Sequence, residues 1–228
     1  SVIDFDSQFD GELGFSRYLL KFSNFIKQMN IIHSKRFQHY NKLDVPDQDR
    51  LVWVDLEMTG LDIRNCHILE MACVITDGDL RTVGEHPSIV IHQPDDVLDS
   101  MNKWSKRHHD ASGLTQASRA SKTTLEEAQI LMVSFIREHT PQGKCALAGS
   151  SVHRDRQFLE KFMPDFLRHL HYRIVDVATL RELCRRWFPD AHRNIPSRKA
   201  GHRALEDIKQ SIDELKYYQQ HIFRSCKE

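Results

Sequence analysis

The sequence has no apolar run approaching the ~20 residues that a membrane-crossing helix requires, so a soluble chain with no membrane partner is expected. It also has no Cys-x-x-Cys pair. The five cysteines, Cys66, Cys73, Cys145, Cys184 and Cys226, are scattered and odd in number, which argues against a zinc or disulfide framework and for thiols kept in a reducing compartment. Glycine and proline are sparse, 9 and 7 of 228 residues, and hydrophobic residues make up 40%. That composition excludes a disordered chain and gives enough apolar material for one domain with an extension. Net charge is absent too, with 32 basic residues against 32 acidic. A broad basic face that grips long nucleic acid is therefore unexpected, and a short or small substrate is easier to reconcile.

One further absence is local. From Leu13 to Leu43 there is no acidic residue, while Arg17, Lys21, Lys27, Lys35, Arg36 and Lys42 are interleaved with apolar and serine residues. A basic, acid-free, amphipathic stretch ahead of a folded domain is the pattern of a mitochondrial transit segment. The acidic start, with Asp4, Asp6, Asp10 and Glu12, fits equally an N-terminal extension with one docking helix. Residues 1–48 are accordingly set apart as an extension and 49–228 as the globular domain.

The most informative residues open that domain. Leu51-Val52-Trp53-Val54-Asp55-Leu56-Glu57-Met58-Thr59-Gly60 reads as a strand, and side chains two apart on a strand share a face. Asp55 and Glu57 would therefore point into one small volume, where two like charges repel unless a cation lies between them. Strand-like runs follow at His67 to Thr76 and Ser88 to His92, and the Asp77-Gly78 pair between them favours a tight hairpin turn. Thr123 and Glu126 form a capping-box pattern ahead of an amphipathic stretch to about His139. Then come a strand at Cys145 to Ala148, a helix from about Arg154 to Met163, a strand at Tyr172 to Val175, a helix over Leu180 to Trp187 and a last helix from about His202 to Phe223. Hairpin-joined strands followed by alternating helices and strands indicate an α/β protein, a mixed sheet flanked by helices.

Asp155 falls just inside a helix start, where a carboxylate ordinarily complements the helix dipole. Asp207 could be one residue of a solvated helix face, and His202 a helix-terminal surface histidine. Taken together with Asp55 and Glu57, these residues resemble the spaced motifs of the DEDDh 3′-to-5′ exonucleases. Val52 to Leu61, Leu98-Asp99-Ser100-Met101, His171-Tyr172-Arg173-Ile174 and His202-Arg203-Ala204-Leu205 are similar to the oligoribonuclease family within that group, in its eukaryotic form. The resemblance covers residues from about 50 to about 223.

It implies an RNase H-like fold, with three antiparallel strands and then parallel ones. It implies a 3′-to-5′ exoribonuclease that degrades short single-stranded RNA, dinucleotides included, to 5′-mononucleotides. Asp55, Glu57, Asp155 and Asp207 would hold two metal ions, and oxygen-only ligands favour Mg²⁺ or Mn²⁺. His202 would be the general base. Leu61 would be the apolar wedge between the last two bases, Trp104 a stacking platform and His109 a phosphate contact, although Trp104 could equally be a core residue of an amphipathic helix. Tyr172 and Arg173 would be lent to the neighbouring protomer of a homodimer and close over the 5′ end. Mitochondrial or cytoplasmic residence is expected from the transit-like stretch and the scattered cysteines.

Three residues depart from the family pattern: Ser150 replaces an asparagine, Arg154 an acidic or amide residue, and Ala178 a serine that helps hold the 5′ phosphate. Two other readings stand beside the main one. One is an exonuclease trimming or proofreading longer DNA or RNA ends, against which a 5′ cap argues. The other is a binding module without hydrolysis, against which the complete set of carboxylates and His202 argues.

Overall fold

Along Leu51–Met58 (β1), Val52, Val54 and Leu56 enter one hydrophobic layer and Trp53 another, the alternation that extended backbone imposes. The computed structural model describes residues 47–197 and 203–223. Residues 1–46 of the expected extension, and His202, lie outside the described residues.

β1 pairs antiparallel with Ile68–Thr76 (β2), which pairs antiparallel with Thr82–Val90 (β3). On its other side β1 pairs parallel with Ala146–Gly149 (β4), and β4 with His171–Asp176 (β5). The order is β3-β2-β1-β4-β5, the mixed sheet expected from the sequence. The turn between β2 and β3 is closed by Asp77, whose Oδ1 accepts the Asp79 and Arg81 N–H groups at 2.9 and 2.8 Å.

The third strand begins at Thr82 rather than Ser88. Gly84 and Pro87 hide it in the sequence, yet β3 is the sheet edge, where a strand tolerates proline.

Among the described residues the helices are Asp95–Asp99 (α1), Lys103–Ala111 (α2), Leu114–Ala120 (α3), Leu125–His139 (α4), His153–Phe162 (α5), Pro164–His169 (α6), Val177–Trp187 (α7), Pro189–Arg193 (α8) and Ala204–His221 (α9). The capping box of α4 sits one residue later than the Thr123 and Glu126 reading. Thr124 Oγ1 accepts from Glu127 N, and Glu127 Oε2 accepts from Thr124 N. Thr123 is engaged through its backbone, its carbonyl accepting His92 N–H at 2.8 Å.

Helices α4, α5 and α6 cover the sheet face carrying Val52, Val54 and Leu56. Helices α7 and α9 cover the opposite face, where Ala204, Ile208, Ile212 and Tyr218 pack on Trp53, Ala72 and Val74. Trp53 is fully buried there, and its indole N–H donates to Thr76 Oγ1 at 2.9 Å. Helix α9 therefore lies on the side to which strand alternation also directs Asp55 and Glu57.

Candidate active site

The register sets Asp55 opposite Ala72 and Glu57 opposite Glu70. Ile208 is buried against the sheet by the apolar face of α9, and Asp207 is the residue before it. Ligand-type oxygens of Asp55, Glu57 and Asp207 lie within 4.8 Å of one another, all three residues half-buried. The fourth carboxylate arrives differently. Asp155, the third residue of α5, is buried, and its Oδ1 accepts the Leu56 N–H at 2.9 Å. It is thereby tied to the backbone between the two β1 carboxylates.

Electrostatics mark the place. Burial, reinforced by the charges of Asp207, Glu70 and Asp155, pushes Glu57 up to about 8. Arg203 pulls in the opposite direction without cancelling the rise. Burial likewise raises Asp155, against the Leu56 N–H that favours its ionised form. Raised carboxylates gathered in one place are what a bound cation would reverse. The donor set is carboxylate oxygen throughout, which fits a hard divalent ion.

The turn that delivers Asp155 is tightly built. A Cβ on Gly149 would stand 2.8 Å from the Val54 carbonyl and 2.9 Å from Val152 Cγ2, so the close approach of β4 to β1 requires glycine. Ser151 then adopts a left-handed conformation at φ 58°. Its N–H is held by Asp176 Oδ1 at 2.8 Å, the same oxygen that caps α7 at Ala178 N. Asp176, at the end of β5, thus ties the turn before α5 to the start of α7.

The expected substrate residues divide into two kinds. Leu61, Trp104 and Tyr172 are 63%, 63% and 71% exposed, so Trp104 is no core residue. Its ring stacks on His108 with centroids 3.9 Å apart. Tyr172 and Arg173 stand exposed on the edge strand β5, the guanidinium 5.6 Å from the tyrosine ring centroid. Among the three departures from the family pattern, Arg154 lines an open groove of about 480 Å³ with Leu61, Gln157 and Lys161.

His109, by contrast, is buried. Its Nε2 lies 2.8 Å from the Met58 carbonyl, which can only accept, so Nε2 carries the proton. Nδ1 then faces Glu57 Oε2 at 3.9 Å. Sequence reasoning did not single out Glu70 or its partner Arg203, although an acid within the apolar run Ile68-Leu69-Glu70-Met71-Ala72-Cys73 was a visible signal.

An exonuclease family model matches residues 52–215. A human mitochondrial oligoribonuclease is 55% identical over 175 residues, spanning 77% of this chain and 74% of that protein. The chain belongs to the oligoribonuclease family of exonucleases. A probable oligoribonuclease of Dictyostelium discoideum is 56% identical over 177 residues, 77% of this chain and 91% of its own. The oligoribonuclease of Bordetella pertussis is 45% identical over 178 residues, 78% of this chain and 98% of its own. The family-model match begins at residue 52 and leaves the residues before it uncovered. Among solved structures, E. coli exonuclease I complexed with single-stranded DNA superposes with a TM-score of 0.61 at 17% identity. That match covers 78% of this chain but only 42% of exonuclease I, and it establishes the shared RNase H-like fold. Among the described residues no helix is long and apolar enough to cross a membrane.

Proposed function

We propose that this oligoribonuclease-family chain is a 3′-to-5′ exoribonuclease that hydrolyses short single-stranded RNA, dinucleotides included, to 5′-mononucleotides. The observation that carries the proposal is the convergence of Asp55, Glu57 and Asp207 within 4.8 Å, with Asp155 bonded to the intervening Leu56. These four carboxylates would hold Mg²⁺ or Mn²⁺, and the bound cation charge would offset the negative charge that develops on the attacking and leaving oxygens. His202 stands five positions before Asp207 in the sequence. It takes the proton of the attacking water, for which the ordinary histidine pKa of about 6.5 is suited. The water oxygen bonds to phosphorus, the P–O3′ bond breaks with O3′ taking up a proton from solvent water, and a 5′-mononucleotide leaves a strand shortened by one unit.

Leu61 and Trp104, each 63% exposed, divide and stack the last two bases. Stacking accepts any base, so little sequence preference follows. His109 meets the phosphate as an imidazolium, Nε2–H held by the Met58 carbonyl and Nδ1–H, on the side that faces Glu57, donating to the phosphate. Tyr172 and Arg173 serve the site of a second copy in a homodimer and cap the 5′ end, a role supported by their exposure on an edge strand. A cap of that kind selects short strands without a long basic track, in keeping with the chain's zero net charge. Residence in mitochondria, the cytoplasm or both is supported by the mitochondrial human, bovine and mouse relatives and by a bacterial one.

The deciding experiment measures Mg²⁺-dependent hydrolysis of a 5′-phosphorylated diribonucleotide beside that of a strand of about twenty units, expected to be the poorer substrate because the cap excludes it. Faster turnover of the long strand would favour an end-trimming exonuclease. Turnover that survives Asp155→Ala would sink the two-metal reading.

A further inference from the structure

We propose that Glu70 and Arg203 are positioning residues, a brace that fixes the start of α9, and with it Asp207, against the carboxylates of β1. The proposal rests on the reading of Asp55, Glu57 and Asp207 as metal ligands. Glu70 is fully buried and faces Glu57 across the β1–β2 pairing. Arg203 grips it as a fork: Nε lies 3.2 and 3.1 Å from its two oxygens, and Nη2 lies 2.7 Å from Oε1. The Ala204 N–H adds a longer bond to Oε2 at 3.4 Å. Arg203 is the N-cap residue of α9 and makes no side-chain cap bond, so the first turn of the helix is met by a carboxylate reaching across from β2. An anion there suits the helix dipole.

Such a pair is a poor way to gain stability, because removing two charges from water costs about as much as their attraction returns. Its placement has a different consequence. Arg203 lies four positions before Asp207, one helical turn, and Glu70 lies directly across from Glu57. The pair therefore ties the start of α9 to β2 at the position paired with Glu57 of β1. The fork also engages both oxygens of Glu70, which keeps a nearby carboxylate from competing as a ligand.

Helix α9 contains an internal control. Glu214, also buried, is bonded by Arg181 of α7, with Nε 2.8 Å from Oε1, and by Tyr218 Oη at 2.8 Å. This second pair lies about 10 Å along the helix from Asp207, by the rise of 1.5 Å per residue, and binds α9 to another helix rather than to the sheet.

The test is Mn²⁺ titration calorimetry on the full chain and on Arg203→Lys, Glu70→Gln, Arg181→Lys and Asp207→Ala. Arg203→Lys keeps the charge but not the fork, and Glu70→Gln keeps the shape but not the charge. Both are expected to weaken Mn²⁺ binding about tenfold or more, as changes behind metal ligands do, whereas Arg181→Lys retains wild-type affinity. At saturating Mn²⁺ the KM for a diribonucleotide should stay near the wild-type value while kcat falls. A Glu70→Met/Arg203→Met double variant leaves no buried charge unpaired; it should melt near the wild type without metal and still bind Mn²⁺ weakly. Wild-type affinity in Arg203→Lys, or an equal loss in Arg181→Lys, overturns the brace. Undiminished Mn²⁺ binding in Asp207→Ala would instead overturn the ligand assignment beneath it.

Discussion

The Leu56 N–H donates to Asp155 Oδ1 at 2.9 Å, so the backbone between Asp55 and Glu57 is held by a carboxylate that arrives almost a hundred positions later in the chain. Asp155 thus has a structural role beside the chemical one proposed for it, and substitution separates the two. Asp155→Asn keeps an oxygen for the Leu56 N–H and should fold with nearly wild-type stability while losing metal-dependent hydrolysis. Asp155→Ala should lose hydrolysis and also leave the buried N–H unpaired, at about 1 to 3 kcal/mol. Urea denaturation of both variants, beside diribonucleotide assays, checks the split.

A pH dependence follows from Glu57. Its folded pKa of about 8 lies above the ordinary 4.5, so between those values the folded chain retains a proton that the unfolded chain has released. The stability from this group is complete below the ordinary value and is lost as pH rises through about 8. The metal-free protein should therefore melt lower at alkaline than at mildly acidic pH, and Glu57→Gln should flatten the trend. Mn²⁺ should reverse it, because a cation favours ionised carboxylates and its binding releases protons. Thermal melts in EDTA and in Mn²⁺ across this range suffice. A metal-free protein that grows more stable toward pH 8 relative to Glu57→Gln contradicts the assignment.

Crowding at Gly149 gives a third expectation. Because an added Cβ would meet the Val54 carbonyl at 2.8 Å, Gly149→Ala must push β4 from β1 beside Asp55. A loss of about 1 to 3 kcal/mol is expected, typical of overpacking, together with reduced turnover. Denaturation midpoints and kcat, measured side by side, report whether strand separation reaches the cluster.

The proposed sharing of Tyr172 and Arg173 between copies can be tested by subunit mixing. Asp155→Ala removes one copy's own carboxylate, and Tyr172→Ala/Arg173→Ala removes what a copy lends. Each variant alone should be nearly inactive on diribonucleotides. The co-refolded mixture should recover about a quarter of wild-type activity, since random pairing in a two-fold dimer makes half of the pairs heterodimers, each with one of its two sites intact. No recovery on mixing would show that each copy uses its own Tyr172 and Arg173.

Much of the fold was legible because its signals are local. The alternation of Val52, Val54 and Leu56 with Trp53, Asp55 and Glu57 marks β1, and the period of Ala204, Ile208 and Ile212 marks α9. Pairing of Asp55 with Glu57 needed only the strand's period of two. What escaped is what tertiary context decides. Gly84 and Pro87 disguised an edge strand, and the capping box expected at Thr123 and Glu126 forms one residue later, at Thr124 and Glu127, while the Thr123 carbonyl accepts from His92. Short helices such as α1, α6 and α8 have too few turns to show a period. Burial of His109 and the exposure of Trp104 on the same helix α2 could not be separated from sequence, because both residue types occur in either setting. Glu70 was visible as an odd acid in an apolar strand, but its partner lies 133 positions away.

The sheet order has a consequence for how activity is acquired during folding. β1 forms early in the chain, yet its carboxylates meet Asp207 only after α9 has docked on the face opposite α4, α5 and α6. Bringing together elements so far apart in the chain carries a loop-closure cost, and non-local contacts of this kind slow folding. No partly folded chain that lacks α9 contains the three-carboxylate cluster. If Asp55, Glu57 and Asp207 hold the ion as proposed, recovery of Mn²⁺ binding reports complete folding, and a chain interrupted before residue 204 carries the strand motif without the third carboxylate.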